Sequence, residues 1–137
     1  GVIAAVQGAK MGKKVVLVEA GQHLGGMSVE GLGGTDIDNQ PFQNSPAVGG
    51  LALEFYRRVS AQYGRTEAFE AMLAAKGKNT SLWRFEPHVA EQVFEQQAAE
   101  QSQFLFALGW VKAQQPHVAK KADKKLQHLS AKDIFWK

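Results

Sequence analysis

Residues 1–19 read GVIAAVQGAKMGKKVVLVE, and this stretch decides the fold class of the chain. Its first eleven residues are rich in alanine and glycine, which predicts a helix whose small side chains let it pack close to a sheet. Gly12 ends that helix in a turn, and the run Val-Val-Leu-Val at 15–18 is typical of a fully buried parallel strand. We therefore expect an α/β fold, with this stretch forming the helix and second strand of a βαβ unit.

The acidic residue after this strand gives the unit a chemical function. Glu19 lies at the predicted carboxyl end of the strand, where α/β sheets bind nucleotides and where a carboxylate accepts hydrogen bonds from ribose hydroxyls. Its spacing fits the G-x-G-x-x-G fingerprint if Gly1 is the third glycine, about 20 residues earlier. The first strand would then precede Gly1, so we expect this chain to be a fragment. The alternative for Glu19 is an exposed glutamate that caps a strand end.

A glycine-rich loop is predicted to follow. Residues 21–34 contain six glycines, at positions 21, 25, 26, 31, 33 and 34. Glycine adopts positive φ and lets backbone N–H groups approach a ligand without an intervening Cβ atom. This composition favours a loop that cradles a phosphate or faces a flavin, and the alternative is a flexible surface loop.

Composition limits the possible functions. The chain has 137 residues, 45% of them hydrophobic, which is enough for one modest core and at most one domain. The sequence contains no run of eighteen apolar residues, so it predicts no membrane-spanning helix. The absence of cysteine excludes disulfides and cysteine nucleophiles, and no histidine–carboxylate cluster has metal-ligand spacing. Redox chemistry would therefore need a bound cofactor, and the compartment stays open between cytoplasm and periplasm.

The positive charge is concentrated near the end of the chain. Residues 112–137 contain seven lysines and two aspartates, a net charge of +5, whereas residues 1–111 carry a net charge of −2. Lysines bind phosphates weakly, but this segment has little aromatic interleaving and no nucleic-acid recognition motif. We expect a solvated surface or a disordered terminus, and no nucleic-acid partner.

Further helices are predicted downstream, at residues 51–63, 67–75 and 87–103, with an extended segment at 81–85. The first has an apolar residue every fourth position, and Thr66 is the expected N-cap of the second. Residues 104–108, FLFAL, fit either a buried strand or the end of the preceding helix, because periodicity does not separate the two. A weak basic helix is predicted at 119–129.

Four motifs carry a family resemblance: the first 19 residues, HLGGMS at 23–28, GLGGTD at 31–36 and WRFEPHVAE at 83–91. Together they resemble the FAD-dependent oxidoreductases of the glutathione-reductase-like group with two dinucleotide-binding folds, over about residues 1–98. The resemblance implies a partial Rossmann-like FAD/NAD(P)-binding domain at 1–100, with a parallel sheet and a helical insertion. Residues 101–137 form an unassigned basic segment. The family resemblance further implies non-covalently bound FAD that exchanges a hydride or electrons with an unknown small-molecule substrate.

The same resemblance implies which residues contact the cofactor. Glu19 would bind the adenosine ribose, Gly25 to Ser28 would lie along the pyrophosphate and ribityl chain, and Gly33 and Gly34 would pass near the isoalloxazine ring. The expected cofactor-binding residues are Gly1, Glu19, Gly25, Gly26, Met27, Ser28, Gly33 and Gly34. Core packing is the alternative for Met27.

Catalytic residues are not assigned by the sequence. Arg84, Glu86 and His88 could line a substrate site, with an anion-binding arginine and a proton-transfer histidine. A first-turn helix position is the alternative for His88, and a favourable charge at the helix N-terminus is the alternative for Glu86. Thr35 and Asp36 are candidates for flavin or substrate contact, and Asp36 could equally cap a turn.

Two other functions compete with the flavoenzyme. In a non-enzymatic α/β fragment or interaction module the same glycines would serve tight packing. In an NAD-binding protein Glu19 would serve equally well, because both dinucleotides contain an adenosine ribose. The GGMS and GLGGTD motifs favour FAD.

Overall fold

The computed structural model describes residues 1–19 and 21–101, and the backbone of residues 105–108. The chain divides into two compact units, one made of Gly1–Gly26 and Phe94–Lys137 and the other of Met27–Val93. The helices and strands in chain order are α1 Val2–Lys10, β1 Val15–Val18, α2 Gly50–Gln62, α3 Thr66–Ala74, α4 Pro87–Glu100 and β2 Leu105–Leu108. The described part of the chain is therefore mainly helical and belongs to the α/β class.

Helix α1 packs closely against β1 in the first unit. Its buried residues, Val2, Ala5, Val6 and Ala9, follow the spacing of one helical face. A Cβ atom built on Gly8 would lie 3.0 Å from Cγ2 of Val15, which is tighter than ordinary packing. The small residues of α1 thus permit the close helix–strand contact that the sequence predicts.

Strand β1 is buried along its length except at its carboxyl end. Val15, Val16 and Leu17 are buried, whereas Val18 is 52% exposed. The strand pairs in parallel with β2, with Val15 opposite Leu105. A strand, and not the end of a helix, therefore covers residues 105–108.

The second unit has an aromatic core. Phe69 and Trp83 are fully buried, and each of the two rings Phe69 and Tyr56 meets the Trp83 ring edge to face at a centroid distance of 4.9 Å. Such pairs add to the burial of apolar area. The remaining members of this core are Met72 and Leu82, with Ile37, Val48, Leu53, Tyr56 and Leu73 packed against them.

Two local predictions are wrong. The segment predicted as extended begins with a 3₁₀ helix, Thr80–Trp83, because the Asn79 side chain accepts a hydrogen bond from the Ser81 N–H (3.1 Å) and starts a turn. The N-cap of α3 is Arg65, and Thr66 is already helical. The third predicted helix ends at Glu100, and residues 102–104 and 109–137, including the helix predicted at 119–129, lie outside the described residues.

None of the helices in the described ranges is long and apolar enough to cross a membrane.

Candidate functional site

Glu19 is held in place by the loop that follows β1. Its Oε1 accepts a hydrogen bond of 2.8 Å from the backbone N–H of Gly21, and the side chain is half-buried. An ionised carboxylate has about four acceptor positions, so this bond leaves others for hydroxyl donors. The carboxylate at the end of β1 is therefore oriented by the chain and still able to bind a diol.

Three glycines of the loop at 21–34 adopt conformations that other residues rarely take. The φ angles of Gly25, Gly26 and Gly31 are 144°, 60° and 127°. A Cβ atom built on Gly26 or Gly31 would meet no atom within 4 Å. These two glycines are needed for backbone conformation, and their Cα atoms face open space that a ligand could occupy.

Met27 lies outside the core, which contradicts the alternative that its side chain serves core packing. Its side chain is 71% exposed, and its carbonyl oxygen accepts hydrogen bonds from the N–H groups of Glu30 (3.3 Å) and Leu32 (3.0 Å). Ser28 ends the 3₁₀ turn Gly26–Ser28 and is half-buried.

The second glycine pair contains two different kinds of glycine. A Cβ atom on Gly33 would overlap the carbonyl oxygen of Phe85 and lie 3.1 Å from its carbonyl carbon. The N–H of Phe85 also donates to the Gly33 carbonyl at 3.2 Å. Gly34 is exposed, and a Cβ atom there would meet nothing within 4 Å. Gly33 thus serves a backbone contact, whereas Gly34 borders open space.

Asp36 and Asp38 organise the loop after this pair. Asp36 is exposed, and its Oδ1 accepts a hydrogen bond of 2.8 Å from the Asn39 side chain, which is the turn-capping alternative. Asp38 is fully buried, and its Oδ1 accepts from the N–H groups of Asn44 (3.1 Å) and Ser45 (2.9 Å).

The charge of Asp38 is stabilised where it is buried. Burial raises the pKa of its carboxyl group, but hydrogen bonds from the Ser45 N–H and hydroxyl and from the Asn44 and Asn79 N–H groups hold that pKa below its ordinary value. In the sequence, residues 35–39 have turn and capping character, but nothing there marks Asp38 as the carboxylate that becomes buried.

The WRFEPH segment alternates between buried and exposed side chains. Trp83 and Phe85 are buried, while Arg84, Glu86 and His88 are exposed. His88 lies in the first turn of α4, as its structural alternative predicts.

Glu86 connects the start of α4 to the end of α2. Its carbonyl accepts hydrogen bonds from the N–H groups of Val89 (3.0 Å) and Ala90 (3.2 Å), which begins α4. Its own N–H donates to Oη of Tyr63 at 2.8 Å, and that hydroxyl donates to Oε2 of Glu86 at 3.1 Å. Burial raises the pKa of Tyr63; the hydrogen bond from the Glu86 N–H and the Arg65 charge oppose this shift, while the Glu86 carboxylate adds to it. In the sequence, Tyr63 is the last residue of the four-residue apolar repeat predicted at 51–63, and that repeat gives no role to its hydroxyl.

A cavity in the described part of the chain is lined by none of the predicted site residues. This cavity of about 300 Å³ is lined by Gln43, Ser45, Pro46, Met72, Leu73, Lys76 and Gly77. No three histidine, aspartate or glutamate side chains among the described residues are grouped so that they could hold a metal ion.

The predicted cofactor-binding residues fall in both compact units. Gly1, Glu19, Gly25 and Gly26 belong to the first, and Met27, Ser28, Gly33 and Gly34 belong to the second. Gly1 is the N-cap of α1, and its carbonyl accepts a hydrogen bond from the Ala5 N–H at 3.0 Å.

An oriented carboxylate after a buried strand, followed by glycines with positive φ beside open space, is typical of nucleotide-binding α/β proteins. The chain matches the model of the family described as FAD dependent oxidoreductase over residues 1–132. The chain belongs to this family, which confirms FAD as the cofactor and FAD-dependent oxidoreduction as the function. No curated protein and no solved structure matches it significantly.

Proposed function

We propose that this chain contributes to a Rossmann-like FAD-binding domain of the glutathione-reductase-like type, with a larger parallel sheet, and that FAD is bound non-covalently. The observation that carries the proposal is the Glu19 carboxylate, fixed by the Gly21 N–H just beyond β1. Parallel pairing of β1 with β2 supports the type of sheet, because ligands of open α/β sheets bind outside the carboxyl ends of the strands.

The glycines suit the elongated phosphate-containing part of the cofactor. Gly26 has open space where another residue would have a Cβ atom, so the FAD pyrophosphate and ribityl chain could approach the backbone there. In the proposal Glu19 accepts hydrogen bonds from the adenosine ribose. Gly1, Gly25, Gly26, Met27 and Ser28 contact the phosphate and ribityl region, and Gly33 and Gly34 neighbour the isoalloxazine ring.

The chemistry belongs to the cofactor. Bound FAD supplies hydride or electron transfer with a small-molecule substrate, while the protein binds the cofactor, orients it and excludes water. Arg84, which is exposed, is proposed as a substrate contact, whereas His88 occupies the first turn of α4.

The experiment measures the FAD affinity of the natural protein after replacement of either of two glutamates. Replacement Glu19→Ala removes the ribose acceptor, and Glu30→Ala removes an exposed carboxylate without a proposed ligand role. We expect the FAD dissociation constant to rise about tenfold in Glu19→Ala, because one or two charge-assisted hydrogen bonds are lost. In Glu30→Ala the dissociation constant should stay unchanged. Equal FAD affinities of both variants and wild type would remove the ribose assignment.

Two direct measurements accompany this comparison. Flavin absorbance between about 350 and 500 nm, with FAD released on denaturation, tests non-covalent binding. A protein that retains NAD and no flavin would contradict the proposal. The intact mass of the purified natural protein tests the prediction that this chain is part of a longer one.

A further inference from the structure

Phe85 is fixed through the two peptide groups that flank it. The first contains the Arg84 carbonyl and the Phe85 N–H, and the second contains the Phe85 carbonyl and the Glu86 N–H. One end of each peptide group faces Gly33, through the hydrogen bond from the Phe85 N–H and the close approach of the Phe85 carbonyl. The position of Gly33 is therefore set by the orientation of these two peptide groups.

The opposite ends of the same peptide groups are held by the end of α2 and the residues after it. Nη2 of Arg65 donates to the Arg84 carbonyl at 3.3 Å, and the Glu86 N–H donates to Oη of Tyr63 at 2.8 Å. Because a peptide group is planar, fixing its carbonyl also fixes the direction of its N–H. Tyr63 and Arg65 thus orient both groups that contact Gly33.

Further contacts make this arrangement rigid. The Arg65 guanidinium lies 4.3 Å from the centre of the Tyr63 ring, and its Nη1 donates to the Ser81 carbonyl at 3.3 Å. The buried Phe85 ring meets the Phe55 ring edge to face at a centroid distance of 5.5 Å. These interactions restrict both the backbone and the side chain of Phe85.

We infer that Tyr63 and Arg65 are positioning residues for the flavin site, acting through the peptide groups beside Phe85 on the GLGGTD loop at Gly33. The inference rests on the proposed function, in which Gly33 and Gly34 neighbour the flavin. Removing either contact frees a peptide group and lets the loop shift, which weakens FAD binding and changes the environment of the ring.

The test uses the natural protein loaded with FAD. Tyr63→Phe removes the hydroxyl and keeps the ring, and Arg65→Lys keeps the charge but loses the fork that spans two carbonyls. The matched control is Arg57→Gln, which breaks an exposed ion pair with Glu70 (2.7 Å) between α2 and α3; the side chains bonded to the two Phe85 peptide groups are those of Arg65 and Tyr63. We expect Tyr63→Phe and Arg65→Lys each to raise the FAD dissociation constant about fivefold.

A spectroscopic signature separates positioning from general stability. The two positioning variants should shift the visible flavin absorption bands and the flavin midpoint potential, whereas Arg57→Gln leaves both unchanged. Melting temperatures are measured alongside. If both variants lower the melting temperature but keep wild-type affinity, bands and potential, the inference is overturned.

The Glu19→Ala variant distinguishes this failure from failure of the proposed function. If Glu19→Ala weakens FAD binding while the two positioning variants match the control, only the inference falls. If the wild-type protein holds no FAD, the proposed function and the inference are overturned together.

Discussion

The two glycine pairs of the loop, Gly25–Gly26 and Gly33–Gly34, are alike in sequence but differ in the reason for glycine. Gly25 and Gly26 have positive φ angles of 144° and 60°, and a Cβ atom on Gly26 would meet no neighbour within 4 Å. A Cβ atom on Gly33 would instead overlap the Phe85 carbonyl. The first pair requires glycine because of its backbone conformation, and position 33 requires glycine because a Cβ atom has no room beside Phe85.

The difference has a physical consequence for substitution. A side chain at a position of positive φ strains only its own residue, and the surrounding atoms need not move. A side chain that overlaps a backbone carbonyl must displace a segment held by its own hydrogen bonds. The same replacement by alanine is therefore expected to cost more at Gly33 than at either glycine of the first pair.

The largest effect is expected for Gly33→Ala. The new Cβ atom must push away Phe85, whose ring is buried and whose N–H donates to Gly33. Overpacking of this kind costs about 3 kcal/mol, and the free energy of unfolding measured in urea should fall by that amount. A loss below about 1 kcal/mol would show that the Phe85 segment moves freely, and the contrast between the two pairs would disappear.

The next effect concerns Asp38, which anchors the far end of the loop containing Gly33. Replacement Asp38→Ala leaves the half-buried N–H of Asn44 and the buried N–H of Ser45 without their acceptor, which costs about 2 kcal/mol. Asp36→Ala is the control, since that carboxylate is exposed and bonds only a side-chain amide among the described contacts. Equal stabilities of the two variants would contradict the anchoring role.

Stability should also depend on pH through Asp38. Because folding lowers its pKa, its contribution is complete above the unfolded pKa of about 3.9 and is lost as the pH falls through the lower folded value. Wild type should therefore lose more free energy of unfolding than Asp38→Ala during acid titration. Parallel titration curves would argue against this assignment.

A smaller effect on stability is expected for Gly26→Ala, because only the strain of a positive φ is added. That strain is about 1 kcal/mol. Gly12→Ala is a close control, since Gly12 has a φ of 74° and also faces open space, in the turn between α1 and β1. Both variants should lose similar stability by thermal melting, and only Gly26→Ala should bind FAD more weakly. Equal FAD affinities would place the cofactor away from Gly26.

Local patterns predicted much of the fold. The small residues of α1 and the apolar run of β1 identify their elements, because helix periodicity and a buried strand are local properties. The four-residue repeat through Phe55 and Val59 likewise predicts the buried face of α2. The prediction of an extended segment at 81–85 was wrong because the Asn79 side chain, and not the apolar pattern, determines the first turn of this segment.

Contacts between distant parts of the sequence were not predictable in the same way. The need for glycine at position 33 depends on the carbonyl of Phe85, and nothing near Gly33 in the sequence indicates that partner. Tyr63 fits an apolar stripe by its ring, while its hydroxyl function depends on Glu86. Conversely, the Glu19 position followed from one strand and its end, so this part of the candidate site was accessible from the sequence.

The smallest change in stability is expected for Gly34→Ala, which makes it the sharpest test within the second pair. Gly34 has no positive φ among the described backbone angles, and its Cα borders open space, so the free energy of unfolding should change by less than about 0.5 kcal/mol. If the isoalloxazine ring lies there, the added methyl group should still shift the flavin absorption bands. An unchanged spectrum would leave Gly33 as a packing residue and remove Gly34 from the cofactor site.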